Sequence, residues 1–155
     1  MPMQNAAALV DDTTMIETRF GTVRVNKDNR LRVVGGLLGF ERFTDFALVE
    51  LPHDAVTHFK VLQSIEDPAL SFVVTPLNLA SDIVDSADLD EALEGCGVDR
   101  ANSLVLLVVT VRAEGEAVTM TANLRAPVIV DIEQHVARQV VMTSNRYPIR
   151  LPLAA

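Results

Sequence analysis

The chain has no tryptophan, one tyrosine and one cysteine among its 155 residues. A stacking platform for bases or sugars therefore has six phenylalanines to draw on and little else. The lone Cys96 excludes an internal disulfide and favours a reducing compartment. Positive charge is also scarce: thirteen Lys and Arg stand against twenty-one Asp and Glu, for a net charge of −8. A protein that grips phosphates needs surplus cations to release counterions. The balance here argues against direct nucleic-acid binding and against an anionic membrane surface. It suits a basic protein partner, attracted over about a Debye length, roughly 8 Å at physiological salt. The longest apolar run, Leu104 to Val109, is far short of the about 20 residues that span a bilayer. The first residues show no basic segment leading into an apolar run and cleavage site, so no signal peptide is expected and the protein reads as cytoplasmic.

Catalytic and metal motifs are missing too. His53, His58 and His135 lack the i, i+4 partner of a helical zinc site, and Cys96 has no neighbouring cysteine. Gly35, Gly36 and Gly39 are not followed by Gly-Lys-Ser/Thr, so they form no phosphate cradle. There is no Gly-x-Ser-x-Gly elbow. Cys96 lies at the expected end of a helix, where the dipole raises a thiol pKa and makes a poor nucleophile. No metal, cofactor or catalytic residue is expected.

What is present reads as a folded β protein. Apolar residues make up 49 % and charged residues 22 %. Residues 1–14 are small and polar without a period and read as a flexible tail; 15–155 read as one domain. From Ile16 onward, short β-branched runs alternate with turn formers. Ile16, Thr18, Phe20 and Thr22 would face one side and Val23 the other. Asn26 to Asn29 would turn the chain into Leu31–Val34, closing a hairpin. Further strands are expected at Phe46–Leu51, His58–Gln63 and Leu70–Thr75, with Pro52, Pro68 and Pro76 outside them. Leu104 to Val111 has the continuous apolar run of a central strand buried on both faces. Val118, Met120, Ala122 and Leu124 alternate with polar residues as a half-buried return strand. Val128–Ile132 and Gln139–Thr143 would add two more. Asp88 and Glu91 have the spacing of an N-cap and its reciprocal partner. They would open a helix of about two turns that ends at Gly95 or Gly97. Many short strands without a βαβ rhythm predict an all-β fold: a small antiparallel, partly open β-barrel with one or two short helices.

Negative charge is concentrated. Residues 81–100 hold Asp82, Asp85, Asp88, Asp90, Glu91, Glu94 and Asp99 against Arg100 alone. This is either a solvated helix face or a steering patch for a basic partner. Gln63 and Asn123 interrupt apolar strands. An unpaired buried amide costs about 1–3 kcal/mol, so both are expected to pin loops, with a polar contact at a binding edge as the second reading. Glu66-Asp67-Pro68 reads as a turn, and Glu41 as a cap of a backbone end or a contact for a partner's cation.

Several short motifs occur in a fixed order. They are Phe20-Gly21, Gly39-Phe40-Glu41, Leu62-Gln63-Ser64-Ile65-Glu66-Asp67-Pro68, Phe72 with Pro76, Asn123-Leu124-Arg125-Ala126-Pro127, Gln139-Val140-Val141 and Tyr147-Pro148-Ile149-Arg150. Their order and spacing over about residues 16–151 resemble the FliW family of flagellar assembly factors. The resemblance implies a cytoplasmic, non-catalytic protein with two partners. One is flagellin, held before export. The other is CsrA, a basic RNA-binding repressor of flagellin translation whose repression is relieved on binding. The motif residues Glu41, Gln63, Glu66, Asp67 and Asn123, together with Asp88, Asp90, Glu91 and Glu94 of the acidic run as a steering patch for CsrA, are the expected protein-binding residues. The alternative is a small β-barrel ligand carrier or enzyme, which requires an apolar pocket of roughly 300 Å³ or more with convergent polar groups.

Overall fold

The computed structural model describes residues 13–51, 58–79 and 81–153. His53 and nearly all of the expected tail lie outside them; Thr14 lies inside and opens the first strand. The strands are β1 (Thr14–Thr18), β2 (Gly21–Val25), β3 (Arg30–Val33), β4 (Asp45–Glu50), β5 (Lys60–Ser64) and β6 (Ser71–Pro76). A helix, α1 (Ser86–Cys96), and a single 3-10 turn (Arg100–Asn102) follow. Then come β7 (Ser103–Glu114), β8 (Ala117–Ala122), β9 (Val128–Asp131), β10 (Val136–Gln139) and β11 (Leu151–Pro152).

Seven strands form a closed ring in the order β3-β4-β5-β6-β7-β9-β10, completed by the pairing of β10 with β3. The barrel is therefore closed rather than partly open, and β10–β3 is a parallel pair in an otherwise antiparallel ring. β7 makes closure possible. Its first half, Ser103–Leu106, pairs with β9, while Val109–Glu114 leaves the ring and pairs with β8. Side chains alternate across β7. Leu104, Leu106 and Val108 point into the barrel, while Val105, Leu107 and Val109 point into an outer layer under α1. Burial on both faces is what the apolar run implied, but only as far as Val109; Val111, at the end of the expected run, is 52 % exposed where β7 has left the ring.

The barrel interior is filled. Val33, Phe46, Leu62, Val74, Leu106 and Val128 are each 0 % exposed. At about 1.5–3 kcal/mol per buried large apolar side chain, this cluster is a major source of stability. Two covers pack outside it. On one side α1 sets Leu89, Ala92 and Leu93 against Val105, Ile129, Met142 and Tyr147. On the other, the β1–β2 hairpin lays Ile16, Val23 and Val25 over Ala47 of β4.

Four expectations are corrected. The first hairpin is β1–β2 itself, with Ile16 opposite Val23 on one shared face. Thr18 makes the turn: its hydroxyl accepts the Phe20 N–H and donates to the Gly21 carbonyl, with Gly21 at φ 96°. β3 consequently pairs with β4 and β10, not with β2. The last ring strand begins at Val136 rather than Gln139, because Asp131 accepts the N–H groups of Glu133 and Gln134 and forces a tight turn through His135 at φ 57°. The helix starts at Ser86 with Asp85 as its N-cap. The Asp85 side chain accepts the Ala87 N–H, so Asp88 sits in the first turn instead. Pro76 ends β6 rather than lying beyond it.

Gly36 and Gly97 share a left-handed backbone, φ 68° and 69°. A Cβ on Gly97 would meet nothing within 4 Å, whereas one on Gly36 would lie 2.6 Å from the Glu41 backbone. Gly97→Ala is expected to cost about 1 kcal/mol for its conformation alone. Gly36→Ala should cost at least about twice that, because main chain must move as well. Urea unfolding of the two variants checks the difference; equal costs would mean that the 35–41 turn yields freely.

Candidate functional site

The acidic run folds into α1 and its approaches, and a clasp holds it to the C-terminal segment. Tyr147 is buried; its hydroxyl donates to Asp88 Oδ2 (2.5 Å) and accepts the Asp85 backbone N–H (3.0 Å). The Arg146 guanidinium donates to the same Asp88 oxygen and to the Tyr147 hydroxyl, both at 3.1 Å, and lies 3.5 Å from Asp85 Oδ2. It also sits 5.2 Å from the centre of the Tyr147 ring. The Tyr147 hydrogen bond and the two aspartates raise the Arg146 pKa above its usual value. The Asp85 carboxyl is held below the usual range, first by the N–H groups of Ala87 and Asp88 and then by Arg146. Arg125 fixes the other side of the clasp by donating to the carbonyls of Tyr147 (2.7 Å) and Asn145 (2.8 Å).

Asp88 is thus committed to structure. Asp90 pairs with Arg100 at 2.7 Å, and Glu91 accepts the Thr143 hydroxyl at 3.2 Å. The side chains of Asp82 and Glu94 are exposed and make no hydrogen bond or ion pair among the described residues. The result is an acidic surface on α1 and its approaches, with two guanidiniums, Arg100 and Arg146, paired to its aspartates. Sequence spacing missed Arg146 because it lies 58 residues from Asp88 along the chain.

The remaining motif residues are joints of the fold. Gln63 is 0 % exposed; its amide nitrogen donates to the carbonyls of Ser64, Pro68 and Leu70, and its oxygen accepts the Ser71 hydroxyl. It closes the β5–β6 connection as a buried, fully bonded amide, as the first of its two expected roles requires. Glu66 accepts the N–H groups of Thr44 (2.8 Å) and Asp45 (3.0 Å), tying that connection to the start of β4. Asp67 accepts the Ala69 N–H, and its own N–H donates to Ser64, as expected of a turn. Asn123 accepts the N–H groups of Arg125 and Ala126 where the chain steps from β8 to β9. Glu41 accepts the Gly39 N–H at 3.0 Å. These backbone donors hold the Glu41 and Glu66 carboxyls below the usual range.

Among the described residues the barrel interior is filled with apolar side chains, not hollowed into the pocket a ligand carrier requires, and open hollows lie on the outer surface. One, of about 650 Å³, sets Lys27, Arg30 and Arg32 against Asp28 and Asp45 beside His135. The alternating cations of β3 were its sequence signal. A second, of about 400 Å³, runs between α1 and residues 138–143. Burial pushes the Cys96 thiol pKa up, more than the nearby Arg138 lowers it, so the thiol is a poor nucleophile chiefly by desolvation. Among the described residues no cluster of His, Cys, Asp and Glu could hold a metal, and no helix is long and apolar enough to cross a membrane.

Comparison with known proteins gives concordant results. The model of the family described as FliW protein matches residues 14–153. The chain is similar to the flagellar assembly factor FliW of Syntrophotalea carbinolica, 37 % identical over 142 residues that cover 90 % of this chain and 97 % of the relative. It is 34 % identical to that of Syntrophus aciditrophicus over 133 residues, 86 % of this chain and 82 % of the relative. A crystal structure of the flagellar assembly factor FliW superposes with a TM-score of 0.69 at 24 % identity, covering 92 % of this chain and 98 % of that one, and supports the fold.

The clasp and the low-lying carboxyls generate two expectations. Tyr147→Phe removes a hydroxyl that serves Asp88, Asp85 and Arg146, and should cost about 1–3 kcal/mol in urea unfolding. The carboxyls of Glu41, Glu66 and Asp85 have folded pKa values below their unfolded ones. Their contribution is therefore complete above the unfolded pKa and is lost as pH falls through the depressed folded values. Glu66→Gln keeps an acceptor oxygen but no titration, so the fall in stability across that acid window should become shallower. An unchanged slope would show that Glu66 binds its two N–H groups no better folded than unfolded.

Proposed function

This chain belongs to the FliW family, and from that membership we propose that it is a cytoplasmic, non-catalytic flagellar assembly factor that works by binding flagellin and CsrA. Binding CsrA relieves repression of flagellin translation, and accumulating flagellin competes for the factor, so synthesis follows export. The family supports the flagellar role. The observation that supports a basic partner such as CsrA is the acidic face of α1. Its helix is fixed by the Tyr147–Arg146 clasp while Asp82, Asp90 and Glu94 remain exposed. Carboxylates held on a rigid element present a directed field without first having to be ordered. The filled barrel leaves an outer surface, not an interior site, to carry recognition.

The test is titration of the purified protein with CsrA and with flagellin from the same organism. Asp82→Asn, Asp90→Asn and Glu94→Gln are then combined in one variant. Asp88 is left in place, because it belongs to the clasp. Exposed ion pairs contribute about 0–1 kcal/mol, so the triple variant should melt close to the parent. Its association rate with CsrA should fall several-fold at low salt and converge with the parent's at high salt. Failure of both partners to bind would end the reading. An equal association rate at low salt would end the role of the acidic face alone.

A further inference from the structure

The groove between α1 and residues 138–143 carries an open strand edge. Val140 donates its N–H to the Pro127 carbonyl (2.9 Å), and Met142 donates to that of Arg125 (2.7 Å). Both therefore point towards residues 125–127, and the Val141 N–H and C=O, one residue out of phase, point the other way. Neither has a hydrogen-bond partner among the described residues. β3 covers this side of the segment as far as Ala137, whose carbonyl accepts the Val34 N–H. Gly35 and Gly36 then turn the chain, and Leu38 donates its N–H to the Gln139 side chain (2.7 Å), not to the main chain of this segment. The Val141 side chain is 55 % exposed.

The opposite wall is the α1 face of Asp88, Glu91, Ala92 and Gly95. Gly95 has no positive φ, and a Cβ placed on it would meet nothing within 4 Å. Glycine within a helix costs up to about 1 kcal/mol relative to alanine. Neither backbone geometry nor packing within the chain asks for it here. The space its side chain would occupy is the groove. Charge is graded along the cleft, with Asp88 and Glu91 towards the Thr143 end and Arg138 at the other.

We propose that this groove binds an extended segment of a second protein, which adds as a strand to the Val141 edge. The segment places a Lys or Arg against Glu91, whose neighbour Asp88 is already held by Arg146 and Tyr147, and small apolar side chains over Ala92 and Gly95. The main chain supplies the affinity and the two charged ends set the direction. Residues 1–12 of this chain contain no Lys or Arg, so they lack the side chain the acidic end calls for. The proposal does not depend on which partner supplies the segment, so failure of CsrA or flagellin to bind would leave it standing.

The probe is a capped seven-residue peptide of alternating Val and Thr, with Lys near one end and Glu near the other, made in both directions. It is titrated at low salt into the isotope-labelled full chain, with amide shifts and hydrogen exchange read at Gly95 and Val141. One direction should give saturable shifts at both residues by about 1 mM and slow exchange at Val141 several-fold. Replacing its Lys by Met should weaken binding several-fold. Gly95→Ala should keep binding, with a Tm equal to or above the parent's. Gly95→Phe should block binding by filling the groove. Val141→Pro deletes an N–H that no group among the described residues accepts, so it should fold and lose the peptide. No saturable shift at Val141 with either peptide would overturn the proposal, as would binding that survives both Gly95→Phe and Val141→Pro. So would protection of Val141 in the free protein through a dimer, which would make a second copy the occupant.

Discussion

β7 must be buried on both faces and must share one edge between two strands, and much of the molecule follows from that requirement. β6 takes one side of it. On the other, β9 takes Ser103–Leu106 and β8 takes Val109–Glu114. A strand whose neighbour changes halfway closes a ring at one end and leaves it at the other. The inward residues Leu104, Leu106 and Val108 then fill the barrel, and the outward Val105, Leu107 and Val109 demand a cover. α1 provides that cover. The helix is 11 residues long, below the length at which an isolated helix is stable in water, so its position is set by Leu89 and Leu93 on that outer layer and by its caps.

Switching partners along β7 leaves the chain between β8 and β9 to be held by something other than a ladder. Asn123 holds it by capping the N–H groups of Arg125 and Ala126. Arg125 passes the constraint on to the carbonyls of Asn145 and Tyr147, and Tyr147 passes it to the start of α1 through Asp85 and Asp88. Two motifs far apart in sequence thus form one connection from barrel to acidic helix. Tyr147 is the buried joint, where a lost partner leaves another group unsatisfied.

The parts of this arrangement that sequence revealed are those set by local pattern. The run in β7, the short apolar runs of β4 to β6 and the apolar stripe of α1 stood out because burial selects their residues. The motif order revealed the family. The errors fall where a side chain, not a periodicity, decides the backbone. Thr18 turns β1 into β2, Asp131 brings β10 forward by three residues, and Asp85 rather than Asp88 caps the helix. In the acidic surface, the exposed carboxylates of α1 were legible, but the guanidinium that quiets Asp88 was not, since only folding brings Arg146 to it. Gln63 read as a structural amide and is one.

Net charge proves a coarse guide to what such a surface attracts. The −8 total hides a division along one stretch of chain. Gln134, His135 and Val136 line the hollow that holds Lys27, Arg30 and Arg32, while residues 138–143 line the groove beside Asp88 and Glu91. Six residues of extended chain from His135 to Val141 span about 20 Å, more than twice the roughly 8 Å Debye length at physiological salt. At that ionic strength the two fields act on separate parts of an approaching partner, so a basic ligand is drawn to α1 without strong repulsion from β3. At low salt, where the Debye length rises to about 30 Å, the fields overlap and the cations of β3 partly offset the acids of α1. The attraction of a basic partner to the acidic face therefore grows less on dilution of salt than the seven carboxylates alone would imply, because the same strand that carries one pole towards the partner carries the other behind it.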